Sequence, residues 1–139
     1  MNPTAELAPP GASDGAKEGQ PTVLVIEDNE LNMKLFRDLL GVNGYRVLMA
    51  RDGETGFRLA RENKPNLVIL DMQLPVASGL EVTRWIKRDA ETAGIPVVAV
   101  TALAMRGDEE KILAAGCDAY MAKPISCGEL LATVARLLV

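Results

Sequence analysis

Five short aliphatic runs recur along this chain, each followed by a stretch whose apolar residues are spaced as on a helix. The runs span residues 22–26 (Thr-Val-Leu-Val-Ile), 45–50, 66–70, 95–100 and 117–121. They are mostly apolar without a break rather than alternating apolar and polar. A strand of that kind is buried on both faces, as in a parallel sheet sandwiched between helices. Parallel neighbours also need a long crossover, and the stretches between the runs supply one each time. Strand–helix alternation repeated five times predicts an α/β fold with a parallel five-stranded sheet and right-handed crossovers.

Local signals place the helices. Asn29 is a helix N-cap, followed by Leu31, Leu35 and Leu39 as one apolar stripe with Phe36 and Leu40 beside it. Asn43-Gly44 is the stop. Asp52 caps a second helix carrying Phe57, Leu59 and Ala60, which ends before Pro65. Ser78 and Glu81 form a capping box for a third, with Leu80, Val82, Trp85 and Ile86. Asp108, Glu109 and Glu110 open a fourth, where the helix dipole favours acids, and Gly116 closes it. Ser126 to Glu129 is a second capping box, ahead of Leu130, Leu131, Val134, Leu137 and Leu138. Residues 1–20 are rich in Ala, Pro, Gly and small polar side chains, too poor in apolar surface to offset the entropy of ordering. They are expected to be a flexible tail ahead of a domain at 21–139. The expected topology is a flavodoxin-like doubly wound (βα)5 sheet of order 2-1-3-4-5, with the first and third strands adjacent.

Composition narrows the function. At 48% hydrophobic and 24% charged, the chain is ordinary soluble material. Aromatics are 4%, so the core must be aliphatic. A net charge of −4 argues against non-specific nucleic-acid binding, which needs a basic surface. No apolar stretch is long enough to span a membrane and no signal-peptide pattern opens the chain, so membrane insertion is not expected and a cytoplasmic location is. Cys117 and Cys127 have neither a disulfide-framework nor a zinc-site spacing and are expected to be packing residues. The absence of histidine removes histidine-based acid/base chemistry and histidine metal ligation.

The chemically interesting residues stand at the carboxyl ends of the runs, where an open α/β sheet binds its ligands. Val68-Ile69-Leu70 delivers Asp71, the first run ends at Glu27-Asp28, the fourth at Thr101-Ala102 and the fifth near Lys123. Adjacent strands lie about 4.8 Å apart, which brings Asp28 close to Asp71. Crowded carboxylates need compensation, by a hard divalent cation or by the Lys123 ammonium. An Asp beside both is suited to attack phosphorus and form an aspartyl phosphate. The Thr101 hydroxyl can donate to a phosphoryl oxygen, and the small Ala102 leaves it room.

Glu27-Asp28, Asp71 after its aliphatic run, Thr101-Ala102 and Lys123-Pro124, in that order and each at a strand end, strongly resemble the receiver domain of two-component response regulators. The resemblance covers essentially all of residues 22–139. It implies that Asp71 is the phosphoacceptor and that Asp28, Asp71 and the Gln73 backbone carbonyl bind Mg²⁺, with Glu27 acting through metal-bound water. It implies that Thr101, Ala102 and Lys123 contact the phosphoryl group, that the Lys123–Pro124 bond is cis, and that Tyr120 is the switch aromatic. The stretch from Glu27 to Phe36, with Lys123 to Ser126, is especially similar to the DivK-type single-domain regulators of bacterial cell division. Glu27 departs from the commoner Asp, and Gln73 places an amide beside the site.

By the same resemblance, the implied partners are a sensor histidine kinase or phosphatase, a histidine phosphotransfer protein and a downstream protein target. Asn32 and Phe36 on the first helix are expected to meet the kinase, and Leu103 and Met105 to form partner surface. The protein is expected to be a monomer or weak dimer and not an enzyme beyond Mg²⁺-dependent self-phosphorylation and dephosphorylation. No output domain is expected after the last helix, and output is expected to pass through protein contacts. Three rivals remain. An aspartyl-phosphate hydrolase needs a second Asp where Gln73 stands. A flavin or nucleotide binder needs a phosphate-cradling loop where Glu27-Asp28 would repel phosphate. An unphosphorylated receiver-like adaptor leaves the pocket structural.

Overall fold

β3 (Leu67–Asp71) runs through the middle of a five-stranded parallel sheet of order β2-β1-β3-β4-β5. The structure is a computed structural model, and it describes residues 19–102 and 108–138. Beside β3 lie β1 (Thr22–Ile26) and β4 (Val97–Thr101), with β2 (Arg46–Ala50) and β5 (Ala119–Ala122) at the edges. α1 (Glu30–Val42), α2 (Gly53–Asn63), α3 (Gly79–Arg88), α4 (Asp108–Ala114) and α5 (Cys127–Leu137) alternate with the strands. This is the expected architecture and strand order.

Alternate residues of each strand feed opposite cores. On one face Leu24, Ile26, Val68, Leu70, Val97 and Ala99 pack with Val82 and Ile86 of α3 and Ile112 of α4. On the other, Val23, Val25, Leu67, Ile69, Val98 and Val100 meet Phe36 and Leu40 of α1 and Leu130 and Val134 of α5. Every residue of β1, β3 and β4 is buried, which is why those runs carry no alternation.

The caps fall where the side chains specify them. Asn29, Asp52, Ser78 and Ser126 each accept from the backbone N–H three residues on. Ser78 and Glu81 complete the reciprocal box. Gly44 and Gly116 follow α1 and α4 with φ of 93° and 113°. The strand boundaries differ at the ends: β4 and β5 begin two residues later than the apolar pattern suggests, and β3 extends through Asp71. Asp71 is thus the last residue of the ladder itself, paired with Val100.

Three expectations need correction. The buried stripe of α1 is Met33, Phe36 and Leu40, while Leu31 is 78% exposed. Residues 31, 35 and 39 spread over about 80° of the helix circumference, whereas 33, 36 and 40 fall within about 60°. Phe36 consequently faces the sheet at 1% exposure and offers no surface to a partner. Cys117 is buried as expected, with its sulfur 3.5 Å from the Thr83 hydroxyl. Cys127 is exposed, at the first position of α5 next to the Ser126 cap. Leu103 and Met105, and residues 1–18 of the expected tail, lie outside the described residues.

Candidate metal centre

The register of the sheet assembles the site. Ile26 pairs with Leu70, so Glu27 and Asp71 emerge side by side at the carboxyl edge. Thr101 pairs with Ala122, and the Lys123 N–H donates to the Thr101 carbonyl at 2.8 Å, which sets Lys123 at the same edge. Glu27, Asp28 and Asp71 each offer a carboxylate oxygen, and these oxygens lie within 4.8 Å of one another. The Lys123 ammonium stands 3.4 Å from Asp71 Oδ2 and 3.7 Å from Glu27 Oε1. The Lys123–Pro124 peptide is cis, as the resemblance implied.

The acids are unequally placed. Asp28 is exposed, whereas Glu27 and Asp71 are at 1% and 2%. Glu27 Oε2 accepts from the Asn29 N–H at 3.1 Å, and the Asn32 side-chain amide reaches Glu27 Oε1 at 3.4 Å. Burial, followed by the neighbouring Asp71, pushes the Glu27 carboxyl up to about 7 against the opposing pull of the Asn29 N–H and Lys123. Three carboxylates at adjoining strand ends, two of them buried and one open to water, suit a hard cation that keeps part of its hydration. The chemistry of the donor set therefore fits Mg²⁺, and a lysine alone does not offset three carboxylates.

Gln73 is the largest surprise of the site. Its backbone N–H donates to Asp71 Oδ1 at 2.9 Å. Its side-chain amide spans the neighbouring strand end: Nε2 donates to Thr101 Oγ1 at 3.0 Å, and Oε1 accepts from the Ala102 N–H at 3.0 Å. Sequence alone placed an amide near the site but gave no sign of the two groups it would hold. Asn32, expected to meet the kinase, is half-buried and also reaches Glu27 with its amide; its place three residues after the Asn29 cap, in the first turn of α1, was the available signal. Tyr120 packs half-buried against the α3/α4 core, and the Glu109 carboxylate beside its hydroxyl raises its pKa.

The sequence matches the response regulator receiver domain profile over residues 23–135. The chain belongs to the response regulator receiver domain family. It is similar to the polar-differentiation response regulators DivK of Brucella anthropi and Brucella ovis, 54% identical over 113 residues that cover 81% of this chain and 92% of each relative. Among solved structures, it is similar to the receiver domain of a sensor histidine kinase from Pseudomonas aeruginosa. That pair shares 33% identity at a TM-score of 0.80, over 86% of this chain and 98% of the other. The Pseudomonas structure carries a magnesium ion coordinated in its active site cleft. A response regulator from Chloroflexus aurantiacus superposes at a TM-score of 0.82 with 26% identity, over 86% of this chain and 98% of the other. The expected receiver family and DivK likeness are both borne out. Among the described residues of this receiver domain, no helix is long and apolar enough to cross a membrane.

Proposed function

We propose that the protein is a phosphorylation switch of a two-component phosphorelay, accepting a phosphoryl group on Asp71 from a histidine kinase and signalling through protein contacts. The observation that carries this is the position of Asp71: buried at the end of the central strand, beside Glu27 and Asp28, with the Lys123 ammonium 3.4 Å away. An Asp71 carboxylate oxygen attacks phosphorus, the bond from phosphorus to the donor imidazole nitrogen breaks, and that nitrogen leaves with the electron pair. An acyl phosphate remains on Asp71. Asp28 and Asp71, with the Gln73 carbonyl and with Glu27 through water, would hold Mg²⁺, which neutralises charge on the phosphoryl oxygens in transfer. Lys123 supplies a positive charge beside Asp71, and Thr101 and Ala102 supply a hydroxyl and an N–H at the neighbouring strand end. Tyr120 follows the repacking inward, away from Glu109.

The DivK likeness extends the reading to cell-cycle or cell-division control in the cytoplasm, with a kinase or phosphatase, a phosphotransfer protein and a downstream protein as partners. Intact-mass spectrometry after incubation with acetyl phosphate tests the chemistry. A single phosphoryl adduct that requires Mg²⁺ and disappears in Asp71→Asn is expected. No adduct from acetyl phosphate or from a phosphorylated histidine kinase, together with no Mg²⁺ binding by titration, would replace the switch with an adaptor that is never phosphorylated.

A further inference from the structure

We infer that the Gln73 side chain is a built-in stand-in for the phosphoryl group, occupying the Thr101 and Ala102 positions in the unmodified protein and setting how readily the switch turns on. The inference rests on the reading of Asp71 as phosphoacceptor. Gln73 is tied to both halves of the site. Its backbone N–H fixes Asp71 Oδ1, while its amide spans Thr101 Oγ1 and the Ala102 N–H, each at 3.0 Å. Ala102 has one backbone donor, and among the described residues it donates to the Gln73 side-chain oxygen Oε1. A phosphoryl oxygen on Asp71 that takes this donor must displace the amide. The Thr101 hydroxyl accepts from Nε2 at 3.0 Å, so the same amide lies against both groups assigned above to the phosphoryl group.

The displaced amide has somewhere to go. Gln73 is exposed, and a cleft of about 110 Å³ opens beside it, with Ser78, Leu80, Lys111 and Ile112 among its walls. Displacement therefore does not require the backbone of the β3–α3 connection to move. Each net hydrogen bond given up weighs about fivefold in an equilibrium, so losing the amide should favour the occupied state by roughly fivefold or more.

The contact and its consequence are tested separately. In the metal-free protein, solvent exchange of the Ala102 amide, read by NMR, should speed up in both Gln73→Ala and Gln73→Met; an unchanged rate would overturn the contact. The second arm is an equilibrium titration with beryllofluoride and Mg²⁺, a phosphoryl mimic that adds to a carboxylate oxygen without being transferred. Both variants should bind it about fivefold or more tightly than wild type. Equal or weaker binding by the variants, with wild type still forming the adduct, would overturn the stand-in and leave the phosphoacceptor reading intact. A gain in Gln73→Ala alone would assign the effect to bulk and also overturn it. Absence of any adduct in wild type and variants alike would overturn the phosphoacceptor reading and the inference with it.

Discussion

At the scale of single residues, two side chains are held in states that cost free energy. Val76, in the connection between β3 and α3, has φ of 67° and is 99% exposed. A β-branched residue in the left-handed region is strained, and no burial compensates it. Val76→Asn should raise stability by about 1 kcal/mol, read as a higher urea midpoint at unchanged slope; an unchanged midpoint would remove the strain argument. Glu27 is the second. Its carboxyl rises from 4.5 to about 7 in the folded protein, so the folded state holds a proton that the unfolded chain releases. The associated stability is fully present below 4.5 and is lost as pH rises through about 7. In chelator, the melting temperature of wild type should fall relative to that of Glu27→Gln as pH is raised through this window. Parallel curves would show that Glu27 does not carry the effect.

At the scale of elements, helix starts are fitted to strand ends with little tolerance. Gly79 opens α3 against the turn after β3, and a Cβ there would stand 2.6 Å from the Asp71 carbonyl oxygen and from Met72 Cα. Both are backbone, so the helix would have to move. Gly79→Ala should cost about 1–3 kcal/mol and disturb the Asp71 backbone. Gly128, in the first turn of α5, has nothing within 4 Å of the same position. Gly128→Ala should therefore stabilise, by about 0.5–1 kcal/mol. The pair, measured by chemical denaturation, separates helix propensity from packing: equal signs would refute the close approach at Gly79. The same logic explains α1. Its leucines were legible as apolar, but which of them faces the sheet depends on the angle at which the helix docks, and that angle buries Met33, Phe36 and Leu40.

At the scale of the whole molecule, the sheet concentrates negative charge at one edge of a protein already at −4. A divalent cation bound there stabilises the folded state by mass action, by about 2.7 kcal/mol at a hundredfold excess over its dissociation constant. Mg²⁺ should raise the melting temperature of wild type and have little effect on Asp71→Asn. An equal rise in both would mean that Mg²⁺ binds elsewhere. The same cation should flatten the pH dependence assigned to Glu27, since both effects arise from one cluster.

The sequence by itself determined the strands, their order, the caps and the set of residues at the carboxyl edge. Continuous aliphatic runs can satisfy themselves only in a covered parallel sheet, and cap residues act through bonds three positions away. Asp71, Glu27, Asp28, Thr101 and Lys123 were legible because each follows an apolar run, and the register then brings their strand ends together. What only the tertiary structure decided lies in directions rather than identities. Phe36 turns inward, Asn32 turns to Glu27, and the Gln73 amide crosses from β3 to the end of β4. Those orientations depend on neighbours far apart in the chain, Gln73 and Thr101 being 28 residues apart. Local pattern carries no term for such a contact, because the partners meet only after the sheet has formed.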